Sequence, residues 1–295
     1  RPPRTTRSTA GRATERARRP PNADAVCAGG ACNVTCTGTF RDCDAAPANG
    51  CETDTSSDTR HCGACGRACA PGLVCDFGTC QALVCCAELH GRLPTLPSGV
   101  YPLAVGDGTT YPAYCDMTSE GGGWTLVMMV PDVPSGTFGF DVDAWTDAQT
   151  INPEVTDPAR NVPMRSQGFY RVPVLSEMKF CLGSLTSCMY ELRFGASTQS
   201  VFLGDETTVT RPATDFAPWG YAGAFGCNRA GFNVRVPGGS ARCRYGILVN
   251  RAGTCGGMED GALGFGCVGH RGTLVSAGRS DGVTTRHDRG WIFVR

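Results

Sequence analysis

The chain has 295 residues, and its 27 basic and 27 acidic side chains give a formal net charge of zero at pH 7. This length accommodates one large domain and a small one. Apolar runs are short, the longest being about WTLVMMV at residues 124–130. A membrane-spanning helix needs roughly 18 apolar residues, so the composition predicts no membrane span.

Cysteine is the most informative residue type in the composition. Of the 19 cysteines, ten lie between Cys27 and Cys80, and this density predicts disulfides formed in an oxidising, extracellular compartment. The odd total leaves one thiol that is free, pairs between chains, or lost its partner when the sequence was cut. No signal peptide is visible, so for a protein predicted to be secreted we expect a truncated or wrongly assigned N-terminus.

Residues 1–22 form the first predicted segment, a disordered basic arm. They hold seven Arg and one Glu and almost nothing apolar that a core could bury. Such an arm either binds nucleic acid or an anionic surface, or it is a linker or miscalled upstream sequence. We favour the second interpretation and predict no nucleic-acid partner, because an exported domain has no obvious use for one.

Residues 23–81 form the second segment, a cysteine-rich spacer module. VCAGGAC begins at Val26 and VCDFGTC at Val74, so a C-x4-C pair recurs and indicates one repeat followed by the start of another. Large apolar residues are scarce here. Disulfides must therefore replace the missing hydrophobic core.

Two motifs in the spacer offer metal ligands. HCGACGRAC at residues 61–69 has the C-x2-C spacing of a zinc knuckle, but no second C-x2-C pair lies at a fitting distance, so disulfides are favoured. DCDAAPANGCETD at residues 42–54 carries oxygen ligands that suit calcium, yet its spacing is not that of an EF-hand, so a solvated acidic turn is favoured. Those oxygen-bearing residues are Asp42, Asp44, Asn49, Glu52 and Asp54. The whole pattern resembles short cysteine repeats of exported myxobacterial proteins, which implies a stalk or spacer.

Residues 82–295 have a different sequence pattern, in which short apolar runs are separated by Gly, Pro, Asn and Asp. These runs predict strands, and CCAELHG at residues 85–91 is the best short helix. The predicted strands are GVYPLAV (99–105), WTLVMMV (124–130), VFLG (201–204), FNVRV (232–236), YGILV (245–249) and WIFVR (291–295).

The glycine triplet in EGGGW, residues 120–124, precedes one of these strands. A phosphate-binding loop would need a lysine after the glycines and a helix behind them, and neither is present. We interpret the triplet as a tight turn, because glycine permits positive φ and close backbone approach. Trp124 then enters the core.

The stretches SGVYPLAV (98–105) and TYPAYCDMTSEGGGWTLV (110–127) closely resemble the opening of fibrinogen C-terminal-like domains. The resemblance weakens in the middle of the chain and returns in CRYGILVN, ALGFG and GWIFVR. It implies that residues 82–295 form an α+β domain with a twisted, mainly antiparallel sheet and long irregular loops. It also implies a first disulfide between Cys115 and Cys86, or the neighbouring Cys85.

The later part of the domain departs from the animal members of that family, whose calcium loop and Gly-Trp-Trp signature are absent. It is more similar to the bacterial branch and to intelectins, which hold a calcium ion that binds the vicinal diol of a sugar. CGGMEDGALGFGCVGH at residues 255–270 occupies the corresponding place. The resemblance implies calcium ligands at Glu259, Asp260 and Asp281, with His270 and His287 as further ligand-binding residues.

Two other readings of this region remain open. The acidic side chains are also consistent with solvated loop charges. Four arginines around the same region either bind an anionic sugar through their forked guanidinium groups or are plain surface charge; they are Arg271, Arg279, Arg286 and Arg289.

The sequence predicts a binding protein rather than an enzyme. It contains neither the H-E-x-x-H nor the G-x-S-x-G motif, and its cysteines are expected to be consumed in disulfides. The first hypothesis is a lectin-like protein that binds surface glycans, with calcium as the possible cofactor. The second is a structural or adhesive module that binds cell-surface proteins without a metal, and a hydrolase is third. Oligomers are possible in each case.

Overall fold

The computed structural model of the protein describes residues 21–28, 31–46, 48–105, 108–134, 136–192, 195, 197–209, 213–219, 227–236, 240–250, 261–269, 274–280 and 285–295. Within these ranges, no helix combines the length and apolar character needed to cross a membrane. Contacts divide the chain into two compact units, one of residues up to 70 with 75–81, and one of residues 71–74 with 82–295.

The spacer consists of three small antiparallel hairpins joined by disulfides. Its strands are β1 (Ala23–Ala28), β2 (Ala31–Cys36), β3 (Phe40–Arg41), β4 (Thr53–Asp54), β5 (Val74–Asp76) and β6 (Thr79–Gln81), paired in that order. Its described disulfides are Cys36–Cys51, Cys43–Cys65, Cys62–Cys75 and Cys69–Cys80. Every cysteine of HCGACGRAC is thus in a disulfide, so the disulfide prediction is confirmed over the zinc alternative. Cross-links therefore take the role that a core plays in larger domains.

The β5–β6 hairpin turns on Phe77 and Gly78, whose φ angles are +46° and +75°. Two-residue turns with positive φ at both positions favour Asn-Gly, and a bulky residue in this left-handed region is strained. The Phe77 side chain is 90% exposed, so it gains little from packing. We expect Phe77→Asn to stabilise the hairpin by about 1 kcal/mol, measured as slower amide hydrogen exchange in β5 and β6.

The control for this change is Phe77→Ala, which removes the exposed ring but keeps a side chain poorly suited to positive φ. We expect Phe77→Ala to leave hydrogen exchange nearly unchanged. Equal protection in the Asn and Ala variants would contradict the strain argument.

The second unit is built on a seven-stranded antiparallel sheet. Its strands are β7 (Gly99–Ala104), β8 (Thr110–Asp116), β9 (Trp124–Val130), β10 (Met164–Arg165), β11 (Glu177–Leu182), β12 (Cys188–Leu192) and β19 (Gly290–Val294). Their order is β12-β11-β19-β9-β8-β7, and β10 pairs with β9. The last strand of the chain therefore inserts beside β9 in the middle of the sheet.

The central position of β9 explains its sequence, because all seven of its residues are buried. Its side chains are divided between two hydrophobic clusters, with Val127 and Met128 in the larger cluster and Trp124, Leu126 and Met129 in the smaller. A strand that is covered on both faces reads as a continuous apolar run. This burial accounts for the uninterrupted WTLVMMV.

The glycine triplet forms the turn into β9, as predicted. Gly121, Gly122 and Gly123 have φ angles of +86°, +73° and +79°, and Gly121 also ends a short 3-10 turn at Ser119–Gly121. The Trp124 indole is fully buried and donates a 2.9 Å hydrogen bond to the Ser119 carbonyl. The turn therefore builds the core rather than a phosphate site.

Helices are few and short: α1 (Cys86–Arg92), α2 (Gly168–Arg171) and α3 (Thr198–Leu203). α1 coincides with the predicted CCAELHG helix. The strand prediction for VFLG is wrong, because this stretch ends α3. Ser197 and Ser200 form a reciprocal capping box at the start of α3, and these paired hydrogen bonds favour a helix over an extended chain.

A six-stranded antiparallel sheet completes the second unit. Its strands follow one another in chain order: β13 (Thr207–Val209), β14 (Cys227–Arg235), β15 (Arg242–Asn250), β16 (Gly261–Val268), β17 (Leu274–Ser280) and β18 (Thr285–His287). A row of directly paired glycines crosses four of them: Gly231, Gly246, Gly264 and Gly278. Added side chains at the last three would strike the backbone of the neighbouring strand, so these glycines permit close strand approach.

Aromatic side chains join the two sheets of this unit. Phe180 of β11 stacks on Tyr245 of β15 with ring centroids 3.8 Å apart, and the Tyr245 hydroxyl donates a 2.7 Å hydrogen bond to Glu191 of β12. The second unit is thus α+β and mainly antiparallel, as predicted.

Three disulfides are described in the second unit, and one cysteine is free. The disulfides are Cys86–Cys115, Cys181–Cys188 and Cys243–Cys267. Cys86, rather than Cys85, thus joins Cys115. Cys85 is a free and buried thiol, and burial raises its pKa. Together with those of the spacer, the described disulfides are typical of a protein that folds in an oxidising compartment.

Candidate functional site

Most of the predicted calcium and glycan ligands lie outside the described residues. These are Glu259, Asp260, His270 and Asp281, whereas His287 is described at the end of β18. The strands that flank them are described, and their pairing gives the geometry of the region.

One end of the six-stranded sheet gathers the strand ends next to the predicted carboxylates. Gly261 begins β16 directly after Asp260 in the chain, and it pairs with Val249 of β15. One residue further along, Ala262 pairs with Ser280, which ends β17 and in turn pairs with Thr285. We call this the 261/280 end. The chain that carries Glu259 and Asp260 and the chain that carries Asp281 both leave the sheet there.

His270 follows the opposite end of the same strands. Val268 ends β16, where it pairs with Arg242 of β15 and Leu274 of β17. We call this the 242/268 end. An eight-residue strand spans about 23 Å between its terminal residues, so the topology attaches the segment with His270 far from the one with Asp260.

His287 is the one predicted ligand whose surroundings are described. It pairs with Gly278 of β17 and is partly buried. Its Nδ1 is buried and has no hydrogen-bond partner among the described residues. Burying a polar nitrogen without a hydrogen-bond partner costs folding free energy. The Nδ1 atom of His287 is therefore available for a further contact.

The glycine-rich strand between the two ends does not itself form a binding surface. All eight residues of β16 are buried, including those of GALGFG. Its glycines serve strand packing, as the aligned row shows. β16 therefore contributes to the packed sheet, and the predicted ligands Glu259 and Asp260 precede it in the chain.

The arginines of this region have different roles. Arg289 donates to the carbonyl oxygens of Pro158 and Arg160 at 2.9 and 2.8 Å and lies over the Trp291 ring, so it holds a loop in place. Arg286 forms a 2.7 Å ion pair with Asp288, while Arg279 is exposed and Arg271 lies outside the described residues.

In the spacer, Asp42, Asp44 and Glu52 bring carboxylate oxygens within 4.8 Å of one another. Their oxygens accept hydrogen bonds from the amides of Cys43 and Ala46. Hydrogen bonds from the Asn49 side chain and then from the Ala46 amide lower the pKa of Asp44, and the hydrogen bond from the Cys43 amide lowers the pKa of Glu52. These contacts tie the three carboxylates into one acidic turn, and the choice between a solvated turn and a calcium site stays a prediction.

Sequence reasoning missed two clusters in the second unit. The first joins Lys179 to Asp116 in the core, and its one signal is a lysine within the apolar strand EMKFCL. The second gathers arginines of β14 and β15 around Phe140. Its signal is the alternation in RCRY, which places Arg242 and Arg244 on one face of a strand.

No protein-family model matches the chain.

Proposed function

We propose that this protein is an exported, lectin-like binding protein of the fibrinogen and intelectin type that recognises surface carbohydrate through calcium. Glu259, Asp260 and Asp281 would hold the ion, because hard carboxylate oxygens are the ligands that Ca²⁺ takes. When bound, the ion would offer open coordination positions to vicinal sugar hydroxyls. The disulfides support secretion, and the spacer would carry the domain away from its point of attachment.

The observation that carries this proposal is the pairing at the 261/280 end. Strand order alone brings Gly261, Ser280 and Thr285 to one end of the sheet, although the residues are distant in sequence. Loops displayed from one end of a rigid sheet are a common way to build a binding site. His287 lies two residues after Thr285 on the same face of β18. His270 is not included among the proposed ligands, because its segment follows the opposite end of β16.

The first test is calcium-dependent thermal stability of the full chain. A ligand that binds only the native state stabilises it by about 3 kcal/mol at a hundredfold excess over Kd. We therefore expect saturating calcium to raise Tm by roughly 5 °C or more relative to EDTA. Magnesium should do less, because it demands a smaller octahedral cage.

Variants assign that stabilisation to residues. Asp260→Asn and Asp281→Asn should each abolish the calcium shift while leaving the Tm in EDTA unchanged. Asp141→Asn is the matched control, since Asp141 is an exposed carboxylate of the same unit at the other end of the sheet. Glycan-array binding should disappear with EDTA in the wild type. A calcium shift that survives both variants would contradict the assignment.

A second candidate function is metal-independent protein binding, and the outer strand β12 favours it. β12 ends the described seven-stranded sheet, and it exposes Tyr190 and Leu192, the latter 75% exposed. Exposed apolar side chains on an outer strand are typical of strand-mediated contacts. Binding to cell surfaces that persists in EDTA and falls with Leu192→Lys would favour this function.

A further inference from the structure

Three arginines surround one buried aromatic ring at the 242/268 end of the six-stranded sheet. The guanidinium carbons of Arg235, Arg242 and Arg244 lie 5.0, 5.4 and 4.6 Å from the centroid of the Phe140 ring. Cations are drawn to an aromatic ring, so Phe140 fixes the positions of all three groups.

The strand register places like charges directly opposite each other. Arg235 of β14 pairs with Arg242 of β15, and directly opposed like charges destabilise a sheet. Among the described residues, the one carboxylate bound to these side chains is Asp141, which forms an ion pair with Arg242. The cluster therefore carries an excess of positive charge.

Arg244 forms the base of the cluster. Its guanidinium donates to the carbonyl oxygen of Phe140 at 2.8 Å and to Asn233 Oδ1 at 3.0 Å. Burial lowers its pKa, and the nearby charge of Arg235 acts in the same direction. Arg244 is thus a positioning residue that holds the ring and the strands in register.

Arg235 has its guanidinium available. The residue is exposed, and its backbone amide donates to Glu206 at 3.3 Å. No described residue accepts a hydrogen bond from its guanidinium. Beside it, Arg242 uses some of its donors on Asp141 and on the Ser240 carbonyl, and a guanidinium has five N–H donors in all.

We propose that Arg235 and Arg242 form a binding site for an oxyanion, a carboxylate or sulfate group. Paired guanidinium forks match the two or three oxygens of such a group, and a bound anion would relieve the repulsion between the opposed arginines. The site is separate from the proposed calcium site, since the length of β15 between Arg242 and Val249 is about 23 Å. An acidic saccharide is one source of the group, and that part rests on the proposed function; a free inorganic anion is the other.

Isothermal titration of the full chain tests the site independently of calcium when metal is first removed by dialysis and the buffer contains neither calcium nor a chelator, because EDTA is a carboxylate that would compete for the site. The probes are sodium sulfate, trigalacturonate and a neutral galactose trisaccharide. We expect both anions to bind at millimolar concentration or below, and the neutral trisaccharide to give no heat. Tighter binding of trigalacturonate than of sulfate identifies an acidic saccharide as the ligand, while the reverse identifies a free anion.

The test variant is Arg235→Gln, which should weaken both anions by about tenfold, because a hydrogen bond to a charged group is lost. Its Tm should equal or exceed that of the wild type, since the opposed charge is removed. Arg279→Gln is the matched control: Arg279 is also exposed and opposite an arginine, Arg286, but lies outside the cluster.

Anion affinity unchanged by Arg235→Gln, or lowered equally by Arg279→Gln, would overturn the proposal. Absence of binding by both anions would overturn it as well. Failure of the calcium test leaves this result unaffected, because the titration is carried out without calcium.

Discussion

Replacing Asp116 with Ala is expected to lower the free energy of unfolding by about 3–5 kcal/mol, because it leaves a buried charge without its partner. Lys179 is the one lysine of the chain, and only 2% of its side chain is exposed. Its Nζ donates a 2.9 Å hydrogen bond to Asp116 Oδ2. Denaturant unfolding, with Cm compared at constant m, measures the loss.

The surroundings of Lys179 explain why the loss should be large. Its ammonium group lies 4.8 Å from the Trp124 ring centroid and 4.4 Å from that of Phe293. The rings attract a cation but cannot replace the hydrogen bonds of water. Burial lowers the pKa of Lys179, and the contact with Asp116 offsets only part of that effect.

Two variants separate this explanation from a general loss of packing. Glu177→Ala removes a more exposed ion pair of the same sheet, with Arg295, and should cost less than about 1 kcal/mol. Asp116→Asn combined with Lys179→Met removes both charges and should recover much of the stability lost in Asp116→Ala. A double variant as unstable as the single one would contradict the buried-charge argument.

Acidification should reduce the difference in the free energy of unfolding between the wild type and Asp116→Ala. Burial alone would raise the pKa of Asp116, but hydrogen bonds from Lys179 and from the Ser119 amide outweigh it and hold that pKa well below its usual range. The stabilisation is fully present above the unfolded value of about 3.9 and is lost as pH falls through the lower folded-state pKa. Urea unfolding of both proteins at a series of acidic pH values measures this loss of stabilisation.

Gly122→Ala is the second change with a large expected effect, a loss of more than about 4 kcal/mol. The backbone at Gly122 has φ +73°, and an added Cβ would overlap the Met117 carbonyl oxygen, well inside the normal contact distance of the two atoms. Backbone atoms cannot move aside as a flexible side chain can. The turn that leads into β9 would have to open, and thermal unfolding of the intact chain measures the cost.

Gly121→Ala is the control for this substitution. Gly121 has a similar φ of +86°, but its added Cβ would meet only Arg295 Nη1, at an ordinary 3.6 Å. It should therefore cost about 1–2 kcal/mol, the backbone strain alone. Equal losses at the two positions would show that the Met117 contact is not the cause.

Local features of the sequence were enough for much of the fold. The seven-residue apolar run of β9 predicted a strand, and the glycine triplet predicted the turn before it, because both signals reside in consecutive residues. The strand prediction for VFLG failed, because a short apolar run is equally typical of a strand and of the end of a helix. The capping box that decides for the helix begins at Ser197, four residues before the apolar run.

The candidate sites depended on longer-range information. RCRY shows that two arginines share a strand face, but the sequence does not say that Arg235 lies opposite or that Phe140 lies beneath. Likewise, Glu259, Asp260 and Asp281 could be selected from the sequence as acidic residues, whereas the common end of β16 and β17 follows only from strand pairing.

The sequence by itself determined that this protein is cross-linked by disulfides, is built mainly from short strands, and turns sharply before Trp124. Only the tertiary structure decided which side chains meet: it joins Asp116 to Lys179, 63 residues apart, and it puts Val268 and Gly261 at opposite ends of β16. The physical reason is that turns, strands and caps depend on neighbouring residues, while contacts between charges depend on the order in which strands pair.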